Sequence, residues 1–325
     1  MAARQDSSAA TQRRVSAANN RLNPADPSIG AFAGLRPPES VHPTARETLS
    51  FSLRSWQSFV GLLRQSETMR LNFHVQGDGF PLIILHGFLG SSDNWRAMSK
   101  RFAAHFKVYC LDLRNHGASP HHRAMSYPAM ADDVRKFFAS EKIDRAHLIG
   151  HSMGGKVAMQ VALEEPQSVG RLVVIDIAPK AYPPAHRPLL VALKALALAT
   201  YETYSDVERA LEDVIHDTQV RQFLVKNLAR GADASFRWRI GLDEINDNYD
   251  MLTDSVGADR AVATHIRFIR AGRSGYIADA DIPQIRQLFP NAEIATFPDA
   301  GHWVHIDDAD QFYQDVTGFL LRPSV

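Results

Sequence analysis

The apolar run Ala146-His147-Leu148-Ile149 passes directly into Gly150-His151-Ser152-Met153-Gly154-Gly155, and Val157, Ala158, Val161, Ala162 and Leu163 follow at helical spacing. An apolar run of strand length that enters a helix through a glycine-flanked turn specifies a strand, a tight turn and a covering helix. Ser152 stands at the turn and is a candidate nucleophile. Gly150 and Gly154 remove side chains where the turn would crowd its neighbours, which leaves the hydroxyl exposed above the sheet edge. A glycine-serine turn without chemistry fits such a motif when it stands alone, so chemistry at Ser152 requires the companions that acyl transfer demands.

The same alternation continues along the chain. Short apolar strands near residues 71, 82, 107, 146, 171, 265 and 292 alternate with helices, the pattern of an α/β, doubly wound, mostly parallel sheet whose functional loops sit at the carboxyl ends of its strands. A stretch from about 180 to 258 lacks strand signals and contains helical runs at 188–199, 205–215 and 220–229. It reads as a helical cap inserted after the sixth major strand, excluding water and setting substrate size. The domain then spans 69–325. Residues 1–46 are rich in Ala, Ser, Asn, Pro and Arg without apolar periodicity, which predicts a disordered tail. Leu49, Leu53, Trp56, Val60 and Leu63 recur at spacings of four and three, which predicts an amphipathic helix over 47–68.

Two further loops supply candidate companions. His86-Gly87-Phe88-Leu89-Gly90-Ser91 follows the strand 81–85. An attacked carbonyl develops negative charge, and fixed backbone N–H groups stabilise it without reorganising; those of Phe88 and Met153 are the candidates, Met153 with the added benefit of a helix N-terminus. His86 reads as a brace for its loop. Near the other end, Ala300-Gly301-His302-Trp303-Val304-His305 lies between a strand over 292–297 and an amphipathic helix over 309–321. A serine hydroxyl needs an imidazole to take its proton. Of 14 histidines, His302 has the right place, in a loop after the last strand and after the serine in chain order, with His305 as its nearest rival.

The orienting acid is open at this point. The strand 265–270 leads to Ala271-Gly272-Arg273-Ser274, with a serine where an acid often stands, and Asp279 and Asp281 read as helix-start residues. Asp176 ends the strand 171–175 and opens Asp176-Ile177-Ala178-Pro179, from which it can reach the same imidazole or merely cap a turn. Asp243, in a helical stretch of the cap, is the third candidate.

Taken together, His86 to Gly90, Asp112-Leu113-Arg114-Asn115-His116-Gly117-Ala118-Ser119, Gly150 to Lys156, Asp176 to Pro179 and Gly301 to His305 resemble the α/β-hydrolase superfamily over residues 70 to 322. More narrowly the chain resembles the YbfF-type esterases and their mitochondrial eukaryotic relative, abhydrolase domain-containing protein eleven. The resemblance implies the α/β-hydrolase fold and hydrolysis of small-molecule carboxylic esters, short-chain acyl esters or thioesters, through Ser152, His302 and Asp176. A serine in the usual acid slot is a mark of this subfamily and favours Asp176. Rival readings are a carbon–carbon bond lyase, whose acidic substrate would engage Arg237 and Arg239 beside Trp238, and a non-catalytic binding protein.

Composition narrows the partners. Lys and Arg number 36 against 36 acids, so no electrostatic case exists for nucleic acid or an anionic membrane surface. No apolar run is long enough for a transmembrane helix, and a single cysteine, Cys110, excludes an internal disulfide. No metal-ligand spacing appears, and no cofactor is expected. Up to residue 25 the only acid is Asp6, against Arg4, Arg13, Arg14 and Arg21. That bias resembles a transit peptide and makes a mitochondrion or other organelle the alternative to the cytoplasm for an intracellular protein. The oligomeric state is left open.

Overall fold

The computed structural model describes residues 69–257 and 260–323. The expected tail over 1–46 and amphipathic helix over 47–68 lie outside the described residues. Strands β1 (Phe73–Gln76), β2 (Phe80–Leu85), β3 (Phe106–Leu111), β4 (Ala146–His151) and β5 (Val169–Ile175) precede the cap. Within the cap are β6 (Leu228–Arg230) and β7 (Phe236–Trp238), and after it come β8 (His265–Ala271) and β9 (Ala292–Phe297). Seven of these form one sheet in the order β1-β3-β2-β4-β5-β8-β9, parallel throughout except for β1, which runs against β3.

Both faces of the sheet are covered, which is why its central strands are apolar at consecutive positions. Ile83, Leu85, Leu148, Leu172 and Val174 pack under helices α2 (Tyr127–Glu141) and α3 (Met153–Glu164), through Val134, Phe137, Val157 and Val161. Leu82, Ile84, Ile149, Val173 and Ile175 pack on the opposite face against Phe102 of helix α1 (Arg96–Phe102) and against Phe312 and Val316 of the C-terminal helix Ala309–Leu320. At roughly 1.5–3 kcal/mol per buried aliphatic side chain, these two layers outweigh the exposed ion pairs, each worth about 0–1 kcal/mol. The carboxyl ends of β2, β4, β5 and β9 are thereby fixed along one edge of the sheet, with β8 between the last two.

The cap differs from the sequence reading in two respects. It follows β5, the fifth strand of the sheet, not the sixth, because β8 lies parallel beside β5, with Ile175 opposite Ile269. Parallel neighbours need a long crossover, and the cap itself is that crossover. Nor is it wholly helical. Besides α4 (Arg187–Ala195), α5 (Tyr204–Ala210), α6 (Thr218–Val225), α7 (Leu242–Asp247) and α8 (Tyr249–Thr253), it holds the antiparallel pair β6 and β7, with Leu228 opposite Trp238. Strands of three residues are too short to show alternation. Their turn is set locally, by Ser235 N donating to Asp233 Oδ1 at 3.1 Å and by Ala234 at φ +63°.

At its base the cap closes on itself: Val256 N donates to Pro179 O at 2.9 Å and Tyr182 N to Thr253 O at 2.8 Å. Toward the sheet, Asn227 Nδ2 donates to Leu89 O at 2.8 Å. Among the described residues no helix is long and apolar enough to cross a membrane.

Candidate active site

Ser152 sits at φ +50°, ψ −116°, between β4 and α3. A non-glycine residue held outside the allowed regions costs about 1–3 kcal/mol and persists only where its surroundings over-determine it. Here they do. Ser152 N donates to Ile175 O at 3.0 Å, while Ser152 O accepts from Gly155 N at 2.8 Å and Lys156 N at 3.1 Å. A Cβ at Gly154 would collide with the backbone carbonyls of Leu85 and His86, so the glycine lets α3 begin hard against the end of β2.

His302 lies in the loop after β9, and Asp176 in the loop after β5. His302 Nδ1 donates to Asp176 Oδ2 at 2.8 Å. A carboxylate only accepts, so Nδ1 carries the proton and Nε2 is the acceptor of the neutral ring. Asp176 is fully buried, its other oxygen accepts from Ala271 N at 3.1 Å, and its backbone, at φ +49°, is a second left-handed position. Tyr276 stacks on the His302 imidazole at 4.3 Å and 25°, with the ring of His151 near it at 4.7 Å. His151 Nε2 donates to the His302 carbonyl at 2.9 Å. Burial, with His302 and His305 nearby, holds His151 well below the usual imidazole range, so it stays neutral.

The remaining candidates take other places. Phe88 follows Gly87 after β2, and Met153 is the first residue of α3, where helical N–H groups lack intrahelical partners. Asp243 lies away from the imidazole, exposed and paired with Lys194 at 2.7 Å. Asp279 pairs with Arg270, and Asp281 accepts from Ala278 N at 2.8 Å and pairs with Lys180. Ser274 Oγ accepts from Tyr276 N at 3.3 Å. His86 is a brace: Nδ1 donates to Gly87 O at 2.8 Å and Nε2 accepts from Leu113 N at 3.0 Å. His305 stacks on Trp95 at 4.2 Å, inside the core. Arg239 approaches Asp93 at 3.6 Å, and Arg237 is exposed. Burial pushes the Cys110 thiol up to about 12, so it is inert. Among the described residues no three His, Cys, Asp or Glu side chains are grouped as metal ligands.

Tyr276 and His151 escape sequence reasoning, since their contacts with His302 cross 26 and 151 residues of chain. Ser152 stands on the wall of two compartments. The larger, about 710 Å³, is lined by His302, Trp303, Phe223 and Leu189; the smaller, about 450 Å³, by Met153, Lys156 and Tyr182. Phe88, His186 and Tyr276 border both.

Comparison with known proteins agrees with this architecture. Residues 81–309 match the family described as alpha/beta hydrolase fold. The chain is 35% identical over 270 residues to the sn-1-specific diacylglycerol lipase ABHD11 of Danio rerio, covering 79% of this chain and 84% of that protein. It is 30% identical to the esterase YbfF of Escherichia coli, covering 78% of this chain and 99% of that one. A solved structure described as a marine microorganism esterase superposes with a TM-score of 0.76 at 38% identity, over 78% of this chain and 100% of its own.

Proposed function

This chain is a hydrolase belonging to the alpha/beta hydrolase fold family, and we propose that it cleaves carboxylic esters, short-chain acyl esters or thioesters, through an acyl-enzyme on Ser152. In this reading Ser152 Oγ attacks the acyl carbon and its proton passes to His302 Nε2. Asp176 holds the imidazole in that orientation and stabilises its protonated form. The N–H groups of Phe88 and Met153 receive the charge that develops on the carbonyl oxygen. The bond from acyl carbon to the leaving oxygen or sulfur breaks, His302 returns the proton to the departing alcohol or thiol, and a water repeats the sequence to release the acid and restore the serine.

The observation that carries the reading is the His302 Nδ1 to Asp176 Oδ2 hydrogen bond at 2.8 Å, together with a serine, held at φ +50°, that lines the same compartment as His302. Backbone held at positive φ at both the serine and the buried carboxylate is strain of the kind that gathers at active sites. The relatives' names, esterase and diacylglycerol lipase, favour an oxygen ester. Ser152→Ala should reduce hydrolysis of p-nitrophenyl acetate and butyrate to background, a loss on the order of a million-fold by analogy with another serine hydrolase, and should abolish labelling by a fluorophosphonate probe. Retention of a tenth of the activity would overturn the assignment.

A further inference from the structure

The smaller compartment carries a charge that the proposed chemistry leaves unused. Of its two lysines, Lys180 is held by both oxygens of Asp281, at 2.9 and 2.8 Å, and is neutralised. Lys156 is only 1% exposed. Its Nζ donates to the backbone carbonyl of Asp254 at 2.5 Å and lies 5.2 and 4.8 Å from the ring centres of Tyr127 and Tyr182. Among the described residues no carboxylate pairs with it; the Asp254 side chain is exposed and accepts from Ser255 N at 2.7 Å.

An ammonium has three N–H donors, and the carbonyl takes one. The two ring faces stabilise a cation by much less than removing an ion from water costs without a paired counter-charge. Two of the four tyrosine hydroxyls around the compartment already donate, Tyr127 to Leu252 O at 2.6 Å and Tyr182 to Tyr276 O at 2.6 Å, and that of Tyr249 accepts from His186 N at 2.8 Å. Lys156 is thus the buried cation with donors left for a ligand in a cavity that begins at Ser152.

Resting on the esterase reading, we propose that this compartment is an acyl subsite for short dicarboxylic half-esters or half-thioesters, in which the far carboxylate of the acyl group pairs with Lys156. Ser152 caps α3 and Lys156 is the fourth residue of that helix, about one turn further on, which keeps the acyl chain short. The ion pair is also what the buried ammonium lacks. Burial pulls Lys156 down to about 8. Burial raises Tyr127 from α2, Tyr182 from the segment after β5 and Tyr249 from α8, and lowers His186 from the cap, so all four are neutral there. Lys180 and Asp281 offset each other, and Asp254 faces the ammonium through its carbonyl, while its exposed carboxylate opposes burial without forming an ion pair.

Monoethyl glutarate and ethyl pentanoate share one chain and differ in ending on a carboxylate or a methyl group. The ratio of their kcat/KM values is the readout, in wild type, Lys156→Met and Lys156→Arg. It should fall about tenfold or more in Lys156→Met, the scale of a hydrogen bond to a charged group, and be partly kept in Lys156→Arg. In wild type, which needs no variant to fold, the ratio should also fall as pH rises through about 8, since the ammonium is charged below that value and neutral above it, and kcat/KM follows the free enzyme. A ratio unchanged in Lys156→Met and flat from pH 6.5 to 9.5 overturns the proposal. Turnover of neither ester by wild type overturns the esterase reading instead. Calorimetric binding of glutarate then decides the subsite by itself: binding that Lys156→Met abolishes supports it, and no binding to wild type refutes it.

Discussion

Acidification from pH 7.5 to 5 should destabilise this protein through its buried imidazoles. His116 and His305 are pulled down to about 3, in both cases chiefly by burial, with His86 adding to it at His116 and His302 at His305. In the unfolded chain each returns to about 6.5. A histidine whose folded value is depressed leaves the unfolded state binding more protons, so its contribution to stability is complete above about 6.5 and is lost as pH falls toward the folded value. Integrating that difference from pH 7.5 to 5 gives about 2 kcal/mol for each residue and about 4 for the pair, against a typical total of 5–15. His86, His147 and His151 are displaced in the same direction, again chiefly by burial, and carboxylates enter only at lower pH. The urea midpoint followed by tryptophan fluorescence should drop steeply between pH 6.5 and 5. His305→Phe keeps a flat ring on Trp95 and abandons no hydrogen bond at Nδ1, which has no partner. It should therefore reduce the pH slope of stability by about 1.4 kcal/mol per unit, one proton's worth. A urea midpoint independent of pH over this range, or a slope unchanged in His305→Phe, would refute the reasoning.

Three further outcomes test the site. Asp176→Asn should lower kcat on p-nitrophenyl butyrate by about ten-thousand-fold, the scale known for an orienting aspartate, whereas Asp243→Asn, which loses only an exposed ion pair to Lys194, should stay within about twofold; the reverse order would move the acid to the cap. Tyr276→Leu removes the ring stacked on His302 and should cost about two- to thirtyfold in kcat, the rate equivalent of a cation–π contact of 0.5–2 kcal/mol, with Tyr276→Phe retaining most of the rate; equal losses in both variants would shift the role to the hydroxyl. Gly154→Ala drives a Cβ into the carbonyls of Leu85 and His86 and should destabilise the fold by about 1–3 kcal/mol, read as a lowered thermal midpoint; an unchanged midpoint would show that the turn can yield.

What could be read from the residues alone divides by the range of the interaction. The sheet was legible because runs such as Leu82 to Leu85 and Leu172 to Ile175 are buried on both sides and announce themselves by consecutive apolar residues. Gly150 and Gly154 mark the turn at Ser152 for a local reason, the close approach of backbone to backbone. The choice between Asp176 and Asp243 was not local. Both are acids that a turn or a helix start explains, and they part only when β5 and β9 are set in register across the sheet and the one carboxylate meets His302. The hairpin at β6 and β7 was hidden by its length, and Tyr276 and Lys156 because aromatic stacking and cation–π contacts impose no spacing on a sequence.

The hydrogen bonds that join Pro179 to Val256 and Tyr182 to Thr253 make the cap a detour whose two ends meet. To the sheet such an excursion is a short link, and doubling the length of chain between its ends changes the closure entropy by only about 0.6 kcal/mol. Ser152, Asp176, Tyr276 and His302 all lie outside the span from 179 to 256. The junction is therefore a natural graft point: a shorter, longer or differently shaped cover can be exchanged there, by evolution or by design, while the reacting groups keep their frame, so selectivity and chemistry are free to change at separate rates.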